Sequence, residues 1–396
     1  MELMDIAELK QRVVEAADGL EERLTAMSDS FYRNPELGLE EKRTSAAMRA
    51  FLAGAGFSVE EGVAGMETAF RASIGSGGPV IALLAEMDAL PGIGHGCGHN
   101  IGGTASVGAG AALCAVLRDK LDAGAGTLLV FGTPAEELGK GKIEMIKKGL
   151  FEGVDASMMV HASSKRTLIK NFIGLAKVNF IFHGRPSHAS AYPEEGINAL
   201  DAVIQTFNSI NALRQQLSTG VRVHGIITDG GKAPNIIPER AAAYFYVRSN
   251  DLTELMAVKA KVIKCAEGAA MATGCTVEVV EAGDINAPMK INYSFYDIYR
   301  GGLDMLGLKE DGQPPDKNVG SSDIGNVSRI MPTIHPHVPM RPGINIHTHG
   351  FADATISPDG HRALMEGVRC LSITAVELFF SPGAVERIKK EFDETG

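Results

Sequence analysis

The chain has 396 residues, 45% hydrophobic and 22% charged, a composition that can fill large cores and suits two ordinary domains better than one. Its 48 acidic and 38 basic residues leave a formal net charge of -10, and no long basic run offers a nucleic-acid or anionic-membrane footprint. No apolar stretch is read as approaching the roughly 20 residues that span a bilayer. Five scattered cysteines (97, 114, 265, 275, 370) argue for reduced thiols and a cytoplasmic location rather than a disulfide framework.

In chain order, "MELMDIAELKQRVVEAADGLEERL" is predicted as one charged amphipathic helix rather than a secretory leader. "PVIALLAEMDALPG" is a continuous apolar run ended by Pro91-Gly92, as expected of a strand buried on both faces. "TASVGAGAALCAVLRDKL" follows as a helix of small residues. "TLLVFGTP" and "ASMMVH" are further short strands, separated by the helical "KIEMIKKGLF". This strand–helix alternation predicts an α/β fold with a mostly parallel sheet.

The middle of the chain has a different grammar. "GLAKVNFIFHG", "GINALDAVIQTFNSINALRQQL", "VRVHGIITDG", "AAAYFYVRS", "DLTELMAVKAKVIKCAEGAAMATG" and "CTVEVVEAG" read as β-α-β-β-α-β, a complete ferredoxin-like domain. After it, "NYSFYDIYRGGLDMLGL" and the helix in "DGHRALMEGVRCLSITAVELFF" resume the larger-domain pattern. The expected organisation is a discontinuous catalytic domain, residues 1–171 and 285–396, interrupted by the smaller domain at 172–284.

Coordinating side chains gather at the predicted strand ends. "GIGHGCGHN" places His95, Cys97 and His99 just beyond one strand, Glu136 and Glu137 follow another in "GTPAEE", and His161 ends a third in "MMVHA". Singly, each has a structural explanation: a hydrogen-bonded histidine, a buried thiol, a solvated helix start. Together they should converge, because ligands of open α/β sheets bind outside the carboxyl ends of the strands. Imidazole, thiolate and carboxylate suit zinc or another divalent first-row metal. Two such ions roughly 3.5–4 Å apart can share a water, polarise an amide carbonyl and lower the water's pKa. That chemistry also needs a carboxylate that is not a ligand, to move the water's proton to the leaving amine. A tandem Glu-Glu offers one residue for each task.

"AEMDALPGIGHGCGHN", "GTPAEE", "GRPSHASAYPEEGINALDAV", "GGKAPNIIPERAAAYFYVRS" and "VGSSDIGNVS" together resemble the metallopeptidase family of aminoacylases, glutamate carboxypeptidase and succinyl-diaminopimelate desuccinylase. The likeness runs over nearly the whole chain. Within that family it is similar to the branch of auxin-conjugate amidohydrolases, p-aminobenzoyl-glutamate hydrolases and Xaa-Arg-type dipeptidases. The resemblance implies a metallopeptidase catalytic domain with an inserted lid/dimerisation domain and a homodimer. It implies two divalent ions, zinc or else manganese or cobalt, held by Cys97, His99, Glu137, His161 and His347, with His349 as the runner-up for the last position. Glu136 would be the general acid/base for hydrolysis by metal-bound hydroxide. Asp88 would be a positioning carboxylate rather than a ligand, since many relatives carry His-x-Asp where this chain has Glu86-Met87-Asp88. His188 would stabilise the oxyanion, often from the partner subunit. Asn235 and Arg248 would bind substrate, Arg248 being suited to a carboxylate, and "GSSDIGN", with Ser321 and Ser322, would line the pocket. His95 is read as a supporting or structural residue, His335 and His337 as loop residues, and His183, His224 and His361 as without a role.

The substrate class implied is an N-acyl amino acid, a dipeptide or an aminobenzoyl-glutamate-like amide. Deamination or another non-peptide C–N hydrolysis by the same hydroxide stays open, as does a ligand-binding homologue without catalysis. Thiol chemistry at Cys97 lacks a separate activating base.

Overall fold

A computed structural model describes residues 6–312 and 320–395. The first five residues of the expected N-terminal helix, and Val319 of "VGSSDIGNVS", lie outside the described residues. In chain order the strands are β1 (Ser58–Glu61), β2 (Phe70–Ser76), β3 (Val80–Glu86), β4 (Gly126–Thr133), β5 (Ala156–Met158) and β6 (His161–Ser163). They continue with β7 (Gly174–His183), β8 (Arg222–Asp229), β9 (Arg240–Ser249), β10 (Thr276–Glu281), β11 (Thr333–Ile334) and β12 (His337–Pro339).

The chain divides into two compact units. Asn171–Met289, joined by Gly320 and Ser321, form one, and the flanking segments form the other. The smaller unit extends past the expected end at 284 because Leu175 pairs with Asn286 and the Met289 N–H bonds the Phe172 carbonyl.

The larger unit holds a six-stranded sheet in the order β1-β2-β4-β3-β5-β11. β4, β3, β5 and β11 run parallel, and β2 and β1 continue the sheet antiparallel. β3 is buried at every position after Val80, as its unbroken apolar run requires of a strand covered on both faces. The helices His99–Lys120 and Pro358–Phe380 pack on each other and contribute Ile101, Ala105, Leu113, Leu364, Val368 and Leu371 to one continuous core. Each large apolar side chain among them, fully buried, stabilises the unit by about 1.5–3 kcal/mol before ordering costs.

Helix His99–Lys120 begins hard against the strand ends. A Cβ built on Gly103 would lie 2.0 Å from the Glu86 carbonyl oxygen, and one on Gly102 would lie 2.6 Å from that of Val160. Only glycine permits this approach, which seats the helix start beside the residues that follow β3 and precede β6.

Three expectations need correction. The N-terminal helix is two helices, Ile6–Asp18 and Glu21–Arg33, broken at Gly19-Leu20 where the chain turns. His161 does not end β5; it opens β6, which pairs with β12 in a separate two-stranded sheet. The segment His99–Ala125 is long and apolar enough by composition to cross a bilayer, yet 89% of its most apolar 18-residue stretch is buried inside the protein.

The smaller unit has the order β7, helix Ala199–Leu213, β8, β9, helix Leu252–Thr273, β10. Its antiparallel sheet runs β10-β7-β9-β8, so the consecutive strands β8 and β9 are neighbours and β7 sits between β9 and β10. Val178, Phe180 and Phe182 of β7, Phe245 and Val247 of β9, and the helix residues Val203, Ile210, Val258 and Val262 fill its core. Asn198 and Asp251 cap the two helices with side-chain hydrogen bonds to backbone N–H groups.

Gly103→Ala should lower unfolding free energy by about 3 kcal/mol, the upper range for overpacking, because its clash is with backbone rather than a movable side chain. A denaturant midpoint equal to wild type would contradict the tight seating of this helix.

Candidate metal centre

Four segments of the larger unit deliver the donors. After Glu86 ends β3, the chain passes Asp88 and enters a loop in which Gly92, Gly94 and Gly98 hold φ of 73°, 74° and 79°. These left-handed turns, natural only to glycine, return the chain so that Cys97 precedes and His99 opens the long helix. Glu136 and Glu137 follow β4, His161 opens β6, and His347 lies two residues before helix His349–Thr355. The His347 N–H bonds the Gly96 carbonyl at 2.8 Å, which ties the last segment to the Cys97 loop.

Cys97 Sγ, a His99 ring nitrogen and a His161 ring nitrogen lie within 4.8 Å of one another, and so do donors of Cys97, Glu137 and His347. Cys97 belongs to both groups. A third group joins His99, Glu136 and Glu137. His349 enters no such group among the described residues; it starts the next helix, behind the Thr348 cap.

Hydrogen bonding sets the histidine tautomers. His99 Nδ1 lies 2.9 Å from the Asp88 carbonyl and 3.1 Å from Asp88 Oδ1, both acceptors, so Nδ1 carries a proton and Nε2 is the atom left to face a ligand. His161 Nδ1 donates to the Ala162 carbonyl at 2.7 Å, leaving Nε2 at 3.3 Å from Cys97 Sγ. This support by carboxylate or carbonyl is what metal-binding imidazoles need.

The donor set fits divalent cations on the structure's own terms. His99 Nε2 and Glu137 Oε1 are buried without a hydrogen-bond partner, a condition costing about 1–3 kcal/mol per group unless something takes the lone pair. His99 Nε2 is 3.3 Å from Glu86 Oε2, close in distance but without hydrogen-bond geometry. Burial pushes the Cys97 thiol far up and the His161 imidazole down to about 4. A thiol so placed becomes a thiolate when a cation accompanies it. Imidazole, thiolate and carboxylate together match zinc and its first-row neighbours.

Among the described residues Asp88 enters no donor group, and both its oxygens are engaged: Oδ1 with His99 and Oδ2 with the Glu137 N–H at 2.9 Å. Burial raises its carboxyl, but the His99 contact outweighs that and holds it below the usual carboxylate range. Glu136 is different. Burial first, then the Glu86 carboxylate, hold it well above that range. Both glutamates follow Ala135, whose φ of 57° is left-handed for a residue with a Cβ, a strain of about 1–3 kcal/mol that surrounding contacts must maintain.

Several site residues escaped the sequence reading. Lys142, fully buried, bonds Glu86 Oε1 at 2.7 Å and Asp323 Oδ1 at 2.6 Å, and its own N–H bonds Asp323 Oδ2 at 3.0 Å. Glu86, Glu136 and Asp323 also form a possible ligand group, but the Lys142 ammonium already answers Glu86 and Asp323. Asp323 is thus a structural member of "GSSDIGN". His335 lies in the loop between β11 and β12, as expected, but His337 opens β12 rather than lying in a loop. Both are buried, with ring centroids 5.4 and 5.2 Å from that of His161, and His337 pairs with His161 in β12 and β6. The alternation His-Pro-His after a short apolar strand was the available signal. His95 is 1% exposed, and neither ring nitrogen has a hydrogen-bond partner; burial lowers it to about 3, so it is a neutral ring.

In the smaller unit, the exposed His188 and Asn235 lie on adjacent segments: His188 bridges to Ile236, and the Ala189 N–H bonds the Asn235 carbonyl at 3.0 Å. The half-buried Arg248 donates to Ser321 Oγ at 3.0 Å and to His224 Nε2 at 3.3 Å. Ser321 Oγ donates in turn to the Ile173 carbonyl at 2.6 Å. Ser322, in the larger unit, is buried and accepts the Ile324 N–H at 3.3 Å.

A mostly parallel sheet with clustered candidate metal donors beside it, in a chain that also carries a separate ferredoxin-like unit, suits a metallohydrolase. Residues 173–273 match the peptidase dimerisation domain family. The chain is 36% identical to the Xaa-Arg dipeptidase of Mus musculus, over 97% of this chain and 92% of the relative. It is 34% identical to a component of the p-aminobenzoyl-glutamate hydrolase of Escherichia coli (strain K12), over 68% of this chain and 60% of that relative. A dinuclear metal-binding peptidase of the M20 family from Bacillus subtilis shares the fold, with a TM-score of 0.70 and 20% identity over 91% of this chain and 99% of that one. The chain belongs to the M20 peptidase family of metal-dependent amidohydrolases and dipeptidases.

Lys142→Met should destabilise the protein by about 3–5 kcal/mol, the cost of leaving buried carboxylates without their counter-charge. Unfolding by urea measures it, and a loss below about 1 kcal/mol, the value of an exposed pair, would contradict the buried triad.

Proposed function

We propose that the protein is a two-metal amidohydrolase cleaving the amide bond of an N-acyl amino acid, a dipeptide or an aminobenzoyl-glutamate-like substrate. The observation that carries this reading is the pair of donor groups sharing Cys97, with Glu136 alongside. Cys97, His99 and His161 would hold one ion, and Cys97, Glu137 and His347 the other. When bound, zinc, or manganese or cobalt in its place, would polarise the amide carbonyl and acidify a water at the site.

The chain's own residues do the rest. Glu136 takes the attacking water's proton and delivers it to the leaving nitrogen. Asp88 holds the Nδ1 proton of His99 and the N–H of Glu137, so both ligands keep their orientation. His188 is assigned to the developing oxyanion. Asn235, Arg248, Ser321 and Ser322 are assigned to polar groups of the substrate, Arg248 to a carboxylate. The near full-length likeness to the Xaa-Arg dipeptidase makes a dipeptide ending in arginine the first substrate to assay. The five unpaired cysteines support a reducing, cytoplasmic setting.

In this reading the protein is a homodimer through the smaller unit. The match to a peptidase dimerisation domain supports it, and so does β8, an outer strand whose Ile226 and Ile227 are 63% and 45% exposed. An open, apolar strand edge is a template for pairing.

Glu136→Gln should keep its metal and lose about 10²–10⁴-fold in kcat on Xaa-Arg dipeptides, aminobenzoyl-glutamate or N-acyl amino acids, whichever the wild type cleaves. His347→Ala should instead lose metal by elemental analysis. Full turnover in the Glu136 variant, or wild-type activity after chelation, would sink the assignment.

The double variant Ile226→Glu, Ile227→Glu should shift the mass in solution from dimer to monomer by light scattering. A monomeric wild type with full activity refutes the dimer.

A further inference from the structure

The turn that carries Glu136 is held by a part of the chain with no place in the chemistry above. Glu41 is 0% exposed and lies at the start of helix Lys42–Ala55. Its Oε1 accepts the Ala135 N–H at 2.8 Å, and its Oε2 accepts the Thr68 hydroxyl at 2.8 Å. The backbone around it follows the same surface. The Glu36 carbonyl accepts the Ala89 N–H at 2.8 Å, and a Cβ on Gly38 would lie 3.1 Å from Ala135 Cα.

The N–H groups on either side of Glu136 therefore each end on a buried carboxylate: Ala135 on Glu41, Glu137 on Asp88. Two fixed peptide planes leave the Glu136 backbone little freedom. Ala135 has the left-handed φ of 57° that an L side chain rarely adopts, so this turn would relax if one anchor were cut. A carboxylate is a costly thing to bury where an apolar side chain could fill the space. Its return here is a charge-assisted bond, stronger and more directional than a neutral one.

We propose that Glu41 is a positioning residue for Glu136, holding the turn at Ala135 so that the glutamate carboxyl stays in line with water and leaving nitrogen. The proposal rests on Glu136 being the proton carrier. Proton transfer is steep in geometry, so a displaced base loses rate without losing substrate affinity.

The test compares steady-state kinetics and metal content of the metal-loaded, full-length protein, on the substrate cleaved best among the three classes named above. Glu41→Ala should lower kcat by about 10- to 100-fold, with KM and bound metal within about two-fold of wild type. Glu41→Gln, which keeps an acceptor for the Ala135 N–H, should stay within about three-fold of wild type. Added to Glu136→Gln, Glu41→Ala should cost nothing further, because the group it positions is already gone.

An unchanged kcat in Glu41→Ala overturns the proposal, as does full additivity with Glu136→Gln. Loss that tracks metal content overturns it too, because the contact would then serve Glu137. If Glu41→Ala does not fold, Thr68→Val frees Oε2 alone and should lower kcat by about three- to ten-fold at constant KM; no change there overturns it. Full turnover in Glu136→Gln would instead remove the acid/base reading, a separate failure visible in the single variant.

Discussion

The site in the larger unit depends on how Asp88 divides its two oxygens. One fixes the His99 ring and the other fixes the Glu137 backbone, so a single carboxylate ties the loop after β3 to the turn after β4. Those strands are neighbours in the sheet, in parallel register from Val80 opposite Thr127 to Glu86 opposite Thr133. Their ends therefore arrive side by side, and Asp88 turns that proximity into a fixed relation between two donors. Both contacts are to N–H groups in a buried setting, where hydrogen bonds to an ion are strong and poorly replaced.

Two kinds of buried polar group meet here, with Glu86 Oε2 3.3 Å from His99 Nε2. Lys142, Glu86 and Asp323 satisfy one another with good hydrogen bonds, as buried ions must. His99 Nε2 and Glu137 Oε1 are left without hydrogen-bond partners. The first set stabilises the scaffold and gives the donors a fixed electrostatic background; the second set is free for a ligand. Glu136 stands between them, pressed by burial and by Glu86.

What sequence could reveal here was local. Cys97 and His99 stand two residues apart in a glycine-rich loop, Glu136 and Glu137 are adjacent, and a short apolar run precedes His161. Such signals survive without coordinates because strand ends in a parallel sheet share one edge. The fold class and the β-α-β-β-α-β order were legible for the same reason, from periodicity and turn residues. The Lys142–Asp323 pair was not, because its partners are 181 residues apart and each looks like an ordinary charged residue in its own neighbourhood. Glu41 was hidden in the same way, 94 residues from Ala135. The register of β6 with β12, which brings His337 to His161, depends on a pairing of three residues that no local pattern announces.

Those separations have a kinetic side. Closing loops of 94 and 181 residues costs chain entropy before the contacts return anything. In synthesis Glu41 precedes Ala135 and Lys142 precedes Asp323, so neither contact can form until the later residue has been made. The frame around the candidate donors is thus complete only once remote parts of the larger unit have met. In the reading proposed above, metal binding would therefore report that these remote segments have come together.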